Sequence, residues 1–431
     1  MAFQKYELQI IEKSDYSKQH IVSFQGPLPS LAASSIRVQS TVIGLTTNNI
    51  SYARLGDMPG RNFYAAHPLP FKEGPYSDFT KYARISAWGT GLVIDSTVDF
   101  IPTGTKLWGY LPIASLPVDK VVEQSSAKNI IIETSEFRKA VMPVYNYYFV
   151  LDKAHAESAK FQGYSALLRQ LFETSYALNR LVFAWDPKIA PVNPAGLSPP
   201  PHLDTWTKES ANLHDATVVI MPASSKTAFS LAYMLRYVRP KGEQPRAIVG
   251  VSSAASRSFV EETKAYNTVT LYDAAESEPS KLVQELGLSA TSKIVLADFG
   301  AREGFKDLWR RKLDAISNNV LFLRVGTAIP ERIDPEEDAA RGAKEMANLK
   351  PNSYPSNTST QRDAGMKYYG EAEYLEAVDR EFDNFIEYPG VQALKLVWGE
   401  GMKGPDGVEG GWNRICSGSL GAAEGLVYRL S

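Results

Sequence analysis

The sequence predicts a two-domain α/β protein in which a β-rich domain is followed by a doubly wound parallel sheet. Three observations support this. At 431 residues the chain exceeds the size at which one hydrophobic core usually stops growing. From Ala216 onward, short β-rich runs alternate with helical patterns. Before that point the segments are short, β-prone and broken by glycine, proline and Asn-Asn turns.

The second half carries the clearer signal. TVVIMP, AIVGVS, TVTLY, KIVLAD and NVLFLRV hold Val, Ile and Leu on consecutive positions, as strands buried on both faces do. Between them SKTAFSLAYMLRYV, SRSFVEETKAY, EPSKLVQELGL and EGFKDLWRRKLDAIS repeat apolar residues at three- and four-residue spacing. A βαβ series of this kind closes into a parallel sheet through right-handed crossovers. Upstream, SIRVQSTVIGL, ARISAWGTGLVIDST and KLWGYLPIASLPVDKVV predict an all-β or barrel-like domain. The segment 167–185 has helical period, and the proline-rich DPKIAPVNPAGLSPPPHLD predicts an extended linker or insertion. Beyond residue 327 the sequence turns polar and predicts a mobile or lid-like stretch. The helix YLEAVDREFDNFIEY and the strands VQALKLVWG and EGLVYRLS then follow.

Composition bounds the function. Hydrophobic residues make up 44% and charged residues 22%, which is ordinary for soluble protein. A net charge of −2 gives no basic footprint for nucleic acid. Cys416 is the only cysteine, which suits a reducing compartment. No run approaches about 20 apolar residues and the first residues lack a signal-peptide pattern, so a cytoplasmic protein without membrane partners is expected.

The stretch TVVIMPASSKTAFSLAYMLR (217–236) is where a dinucleotide-binding protein would place its glycines, yet it has none. The hydroxyls of Ser224, Ser225 and Thr227 and the charge of Lys226, beside the positive end of a helix, make an anion site in which side chains do part of the work of bare amides. A plain turn with a serine cap is the alternative. At the end of the next run, Ser252, Ser253 and Arg257 stand where an acidic residue would bond a ribose. An acid would repel a 2′-phosphate, and these residues would bind one, so NADPH is expected over NADH. Asp298 and Gly300 end the fourth run on the ribose side, and Gly326 ends the fifth at the nicotinamide end.

In NNISYARLGD (48–57), AWGTGLVIDST (87–97), LWGYLPIASLPV (107–118), MPVYNYY (142–148), LFETSYAL (171–178), MPASSKTAFSLAYML (221–235) and VGVSSAASRSFV (249–260) the chain resembles the DUF2855 family. That resemblance implies the architecture of medium-chain dehydrogenases/reductases: a GroES-like β-rich domain over 1–160, a Rossmann domain over 161–329 and a return to the first domain over 330–431, with a cleft between. Zinc-dependent relatives bind metal through Cys, His and Glu. One cysteine and five scattered histidines cannot build those sites, so no metal is expected and the likeness is to zinc-free quinone and enoyl reductases.

The expected function is therefore an NADPH-dependent, zinc-free reduction of an enone, quinone or carbonyl in a small hydrophobic molecule. Tyr52, Tyr145 and Tyr147 are candidate donors to the substrate oxygen, and Asn146 could bond a carbonyl or the nicotinamide carboxamide. Each has a plainer reading as core or turn residue. Two other functions stay open: a non-redox lyase, isomerase or cyclase on the same fold, and a non-catalytic nucleotide-binding protein. The resemblance also suggests a homodimer formed through an edge strand, with NVLFLRV as the candidate edge.

Overall fold

A computed structural model describes residues 4–430 except 59, 198, 200, 204, 278, 303, 327–339 and 341–350. The chain divides into two compact units, one of Met1–Gln170 with Lys395–Ser431 and one of Leu171–Leu394. These limits differ from the expected boundaries. The helices Thr358–Tyr369 and Glu371–Glu387 belong with the second unit, and the return to the first begins only at residue 395.

In the first unit, β1 (Lys5–Glu12), β2 (Asp15–Gln25) and the short β4 (Tyr82–Ala83) form a three-stranded antiparallel sheet. The barrel is built from β3 (Ser35–Leu45), β5 (Ser86–Ser96), β6 (Lys106–Pro112), β7 (Val118–Gln124), β8 (Ile130–Glu133) and β9 (Tyr147–Val150). Their order is β3-β5-β6-β9-β8-β7, and β7 pairs back onto β3, so the sheet closes. Val38, Val93, Leu107, Leu111 and Ile131 fill its interior.

The neighbouring strands β3 and β5 run very near each other. A Cβ on Gly89 would lie 2.0 Å from the Val42 carbonyl oxygen, and one on Gly91 would lie 2.6 Å from Val38. The two glycines share a face of β5, and the register of the pair shifts between Ser40 and Val42 on β3. The glycine spacing in AWGTGLVI is thus a packing requirement of the barrel.

The second unit holds β10 (Thr217–Met221), β11 (Ala247–Ser252), β12 (Thr268–Leu271), β13 (Lys293–Phe299), β14 (Asn319–Gly326) and β15 (Ser353–Pro355), all parallel. The five expected runs are the first five of these strands. The order β12-β11-β10-β13-β14-β15 is the 3-2-1-4-5-6 winding of a doubly wound sheet. Val219, Val249, Val251, Ile294, Leu296 and Trp309 form the core between this sheet and its helices.

One expectation is corrected here. NVLFLRV is not an edge, because β15 pairs with β14 through Phe322, Leu323 and Arg324. The backbone groups proposed for dimer pairing are already used within the chain. The polar stretch after residue 327 lies mostly outside the described residues, and its end forms β15 and the helix Thr358–Tyr369. The chain returns to the first unit with β16 (Lys395–Glu400) and β17 (Glu424–Arg429), which extend the barrel sheet from β3. Among the described residues no helix is long and apolar enough to cross a membrane.

Replacing Gly89 by alanine forces a methyl against backbone that cannot rotate away. Gly89→Ala is expected to cost about 3 kcal/mol in urea unfolding. Gly242→Ala, where a Cβ meets nothing within 4 Å, is expected to stay within about 0.5 kcal/mol of the parent.

Candidate functional site

The turn after β10 sits at the carboxyl end of the first strand of the winding, where doubly wound sheets bind ligands. Ser225 donates its backbone N–H to the Pro222 carbonyl at 3.0 Å, and the helix Lys226–Tyr233 follows. No residue from Pro222 to Thr227 takes a positive φ. The turn therefore needs no glycine on conformational grounds. The close approach that glycine usually permits has moved to the neighbouring strand: a Cβ on Gly250 of β11 would lie 3.0 Å from Ala223 and 2.9 Å from the Tyr266 ring. Tyr266 in turn donates its hydroxyl to the Ala223 carbonyl at 2.8 Å.

The side chains of Ser224, Ser225, Lys226 and Thr227 make no hydrogen bond or ion pair with any described residue; in particular Ser225 does not cap its own helix. All four are partly buried. Partial burial of the side chain lowers the Lys226 pKa to about 8. Three uncommitted hydroxyls and an uncompensated ammonium at a helix start can receive a phosphate from several sides.

The end of β11 is arranged differently. Ser253 caps the helix Ala254–Glu262 by accepting from the Ser256 N–H, and the buried Ser252 hydroxyl donates to the Ser253 carbonyl at 3.2 Å. Arg257 pairs with Glu261 at 2.8 Å, one helical turn on, with both side chains about half exposed. These three residues are adjacent but internally engaged, and Arg257 would have to exchange partners to bind a phosphate.

Asp298, Gly300 and Gly326 come together at the ends of β13 and β14. Asp298 accepts from the N–H groups of Gly300 and Ala301 at 2.9 and 2.7 Å. Burial pushes its carboxyl above the usual range, and these two bonds oppose the shift. Gly300 has φ +97°, and a Cβ on Gly326 would lie 2.5 Å from the Phe299 carbonyl. Both glycines thus have structural reasons to be glycine.

In the first unit Tyr52 and Tyr145 meet edge-on at 5.8 Å inside an aromatic cluster with Phe63, Trp88 and Tyr110. Trp88 donates its indole N–H to the Tyr52 hydroxyl at 2.9 Å and stacks on Trp108 at 4.9 Å. Tyr52 and Tyr145 are only 5% and 8% exposed, so both belong to a packed core. Burial raises both phenol pKa values, that of Tyr145 the further. Tyr147 is half-buried at the start of β9, and the Asn146 side-chain oxygen accepts from Arg138 Nε at 2.9 Å. Asp57, in the same NNISYARLGD stretch as Tyr52, forms an ion pair with Lys13 at 2.8 Å.

Sequence reasoning missed the charges behind this cluster. Lys120, Glu133 and Arg138 have fully buried side chains. Lys120 Nζ lies 2.9 Å from Glu133 Oε2 and donates to the Tyr148 hydroxyl at 2.7 Å, while Arg138 Nε lies 3.3 Å from the same carboxylate oxygen. Burial alone would raise the Glu133 pKa, but Lys120 and Arg138 outweigh it and hold the carboxyl below its usual range. Arg138 also donates to the carbonyls of Ala66 and Tyr145, which fixes the backbone carrying three of the candidate residues. Their spacing in sequence, on β7, β8 and the following turn, carries no local signal. Among the described residues no group of three or more His, Cys, Asp or Glu could hold a metal ion.

Solved structures share this architecture over nearly the whole chain. A mutant form of enoyl thioester reductase from Candida tropicalis matches with TM-score 0.55 at 11% identity, covering 99% of this chain and 100% of that one. CurA from Vibrio vulnificus, in complex with NADPH, gives 0.55 at 11% identity and covers 99% of each chain. Escherichia coli quinone oxidoreductase complexed with NADPH gives 0.51 at 13% identity, covering 99% of this chain and 100% of its own. The fold is thus that of the medium-chain dehydrogenases/reductases, with a GroES-like β-rich domain and a Rossmann domain. Within that class the chain belongs to the DUF2855 family, a protein family of unknown function, whose model matches residues 43–421. No curated protein matches the sequence.

The state of Lys226 can be measured without a ligand. After reductive methylation with labelled formaldehyde, the resonance lost in Lys226→Arg is expected to titrate with a midpoint of about 8, against roughly 10.4 for an exposed lysine. A midpoint in the exposed range would show that the ammonium is solvated.

Proposed function

We propose that the protein is an NADPH-dependent oxidoreductase that reduces an enone, quinone or carbonyl in a small hydrophobic molecule. The observation that carries this reading is the uncommitted set Ser224, Ser225, Lys226 and Thr227 at the end of β10, in a sheet wound 3-2-1-4-5-6. The residues fit the pyrophosphate of a dinucleotide: hydroxyls and Lys226 donate, and Gly250 with Tyr266 supports the turn from behind. The cofactor, when bound, supplies the hydride.

NADPH is preferred over NADH because the first carboxylate after β11 is Glu261, already paired with Arg257. Arg257 can turn to a 2′-phosphate, which a guanidinium binds in two-pronged fashion. Asp298, Gly300 and Gly326 line the path of the cofactor's ribose and nicotinamide ends along the strand termini.

On the substrate side the reading assigns Tyr52, Tyr145, Asn146 and Tyr147. Burial keeps the phenols of Tyr52 and Tyr145 protonated at physiological pH, so each would act as a donor rather than a base, and only after substrate opens the packed cluster that now holds them. The lone Cys416 and the nicotinamide cofactor suit a reducing cytoplasmic setting.

Energy transfer from tryptophan to bound NADPH is expected to saturate, and NADP⁺ to raise the melting temperature. Lys226→Ala should weaken NADPH about tenfold or more, and Arg257→Ala should narrow the preference over NADH. Affinity should fall as pH rises through about 8, since the free protein then loses the Lys226 charge that the phosphate needs. Absence of both saturable binding and thermal stabilisation would sink the reading, and turnover of a carbonyl substrate without nicotinamide would replace it with acid-base chemistry.

A further inference from the structure

The proline-rich segment after Val182 plays no part in the nucleotide turn. With the segment before β10 and the turn before β11 it borders a half-open pocket of about 370 Å³ within the second unit, whose lining includes Trp185, Asp186, Ile189, Lys208, Arg239 and Glu243. These segments enter the sheet at the amino ends of its strands. The nucleotide turn lies at the carboxyl end of β10, roughly 16 Å away along a five-residue strand. The volume falls in the range of small-molecule sites.

The walls have two kinds of chemistry. One is apolar and flat, formed by the Trp185 indole with Ile189 and the prolines. The other is polar and carries Lys208 and Arg239 beside Asp186 and Glu243. The guanidinium groups of Arg180 and Arg239 lie 4.6 and 4.9 Å from the Trp185 ring centroid. Arg239 is 2% exposed; it donates to the carbonyls of Glu243 and Phe183 at 2.5 and 2.7 Å and to the Asn179 side chain at 3.3 Å, while its Nη2 has no acceptor. Lys293, at the start of β13, donates to the carbonyls of Glu209, Ser210 and Asn212, which anchors the short helix Lys208–Ala211.

Lys208 and Arg239 share the lining with Asp186 and Glu243, and His214 is held by Asp215 at 2.9 Å, so the anion preference rests on the unpartnered Arg239 Nη2 rather than on an excess of bases. Neither Arg239 nor Lys293 forms an ion pair with a described residue. Burial pulls Arg239 down to about 10 and Lys293 to about 8, so both are short of a counter-charge. A buried guanidinium with a spare N–H, set beside an indole face, is completed by an anion on a flat apolar body.

We propose that this pocket is a second ligand site, separate from the nucleotide turn, that takes a small planar carboxylate, with the carboxylate toward Arg239 and Lys208 and the apolar body against Trp185 and Ile189. The site is independent of the oxidoreductase reading, since none of its residues belongs to the turn.

Calorimetric titration with sodium benzoate, and with benzamide as its neutral counterpart at matched ionic strength, tests the proposal. Benzoate is expected to bind one site with submillimolar affinity and benzamide at least about tenfold more weakly. Trp185→Leu and Arg239→Lys should each weaken benzoate about tenfold or more. Because Arg239 is buried and its replacement can disturb folding, Lys208→Ala, at the exposed start of its helix, serves as a second charge variant and should weaken benzoate severalfold. Lys226→Ala, or saturation with NADP⁺, should leave benzoate binding unchanged. The proposal fails if benzoate gives no saturable heat at millimolar concentration, if benzamide binds equally well, or if Trp185→Leu has no effect. Competition by NADP⁺ would also overturn it, by moving the benzoate to the nucleotide turn.

Discussion

The turn after β10 depends on a glycine that lies outside it. Gly250 lets β11 pass close to Ala223 and Tyr266, and Tyr266 returns its hydroxyl to the Ala223 carbonyl. With the backbone held from behind in this way, the turn keeps negative φ throughout and can carry side chains at every position. Those side chains then replace the bare amides of a glycine turn as phosphate donors. The change has an electrostatic consequence, because Lys226 sits at the positive end of its helix and is partly shielded from water. Its charge is weakly held, and an anion would restore it.

The first unit is governed by a comparable constraint. Glu133 is the acid that Lys120 and Arg138 share inside a closed barrel, and all three side chains are withdrawn from water. Such a group is costly to bury and more costly to break. It fixes the turn that carries Tyr145 and Asn146 through Arg138, so the aromatic cluster rests on charges rather than on apolar packing alone.

Much of the second unit was legible in the sequence. The five apolar runs and the helices between them are each set by residues within a dozen positions, and periodicity reports such local requirements directly. The barrel was legible as β-rich but not as closed, since closure rests on β7 pairing with β3 from about 80 residues away. The edge strand was misplaced for the same reason: β15, only three residues long, is recruited to β14 from beyond a long polar segment.

The candidate site divides along the same line. That Ser224, Ser225, Lys226 and Thr227 stand between a buried strand and an amphipathic helix was determined by the sequence alone, as was the lack of an acid near the end of β11. Only the tertiary structure decided which of these groups are free. Ser253 and Arg257 are engaged with neighbours one turn along their own helix, while the hydroxyls of the first turn have no such partner. Likewise the burial of Tyr52 and Tyr145, and the charges beneath them, arise from strands and turns distant in the chain. Residue type and local spacing determine what a side chain can do, and packing between remote segments determines whether water, a neighbour or a ligand reaches it.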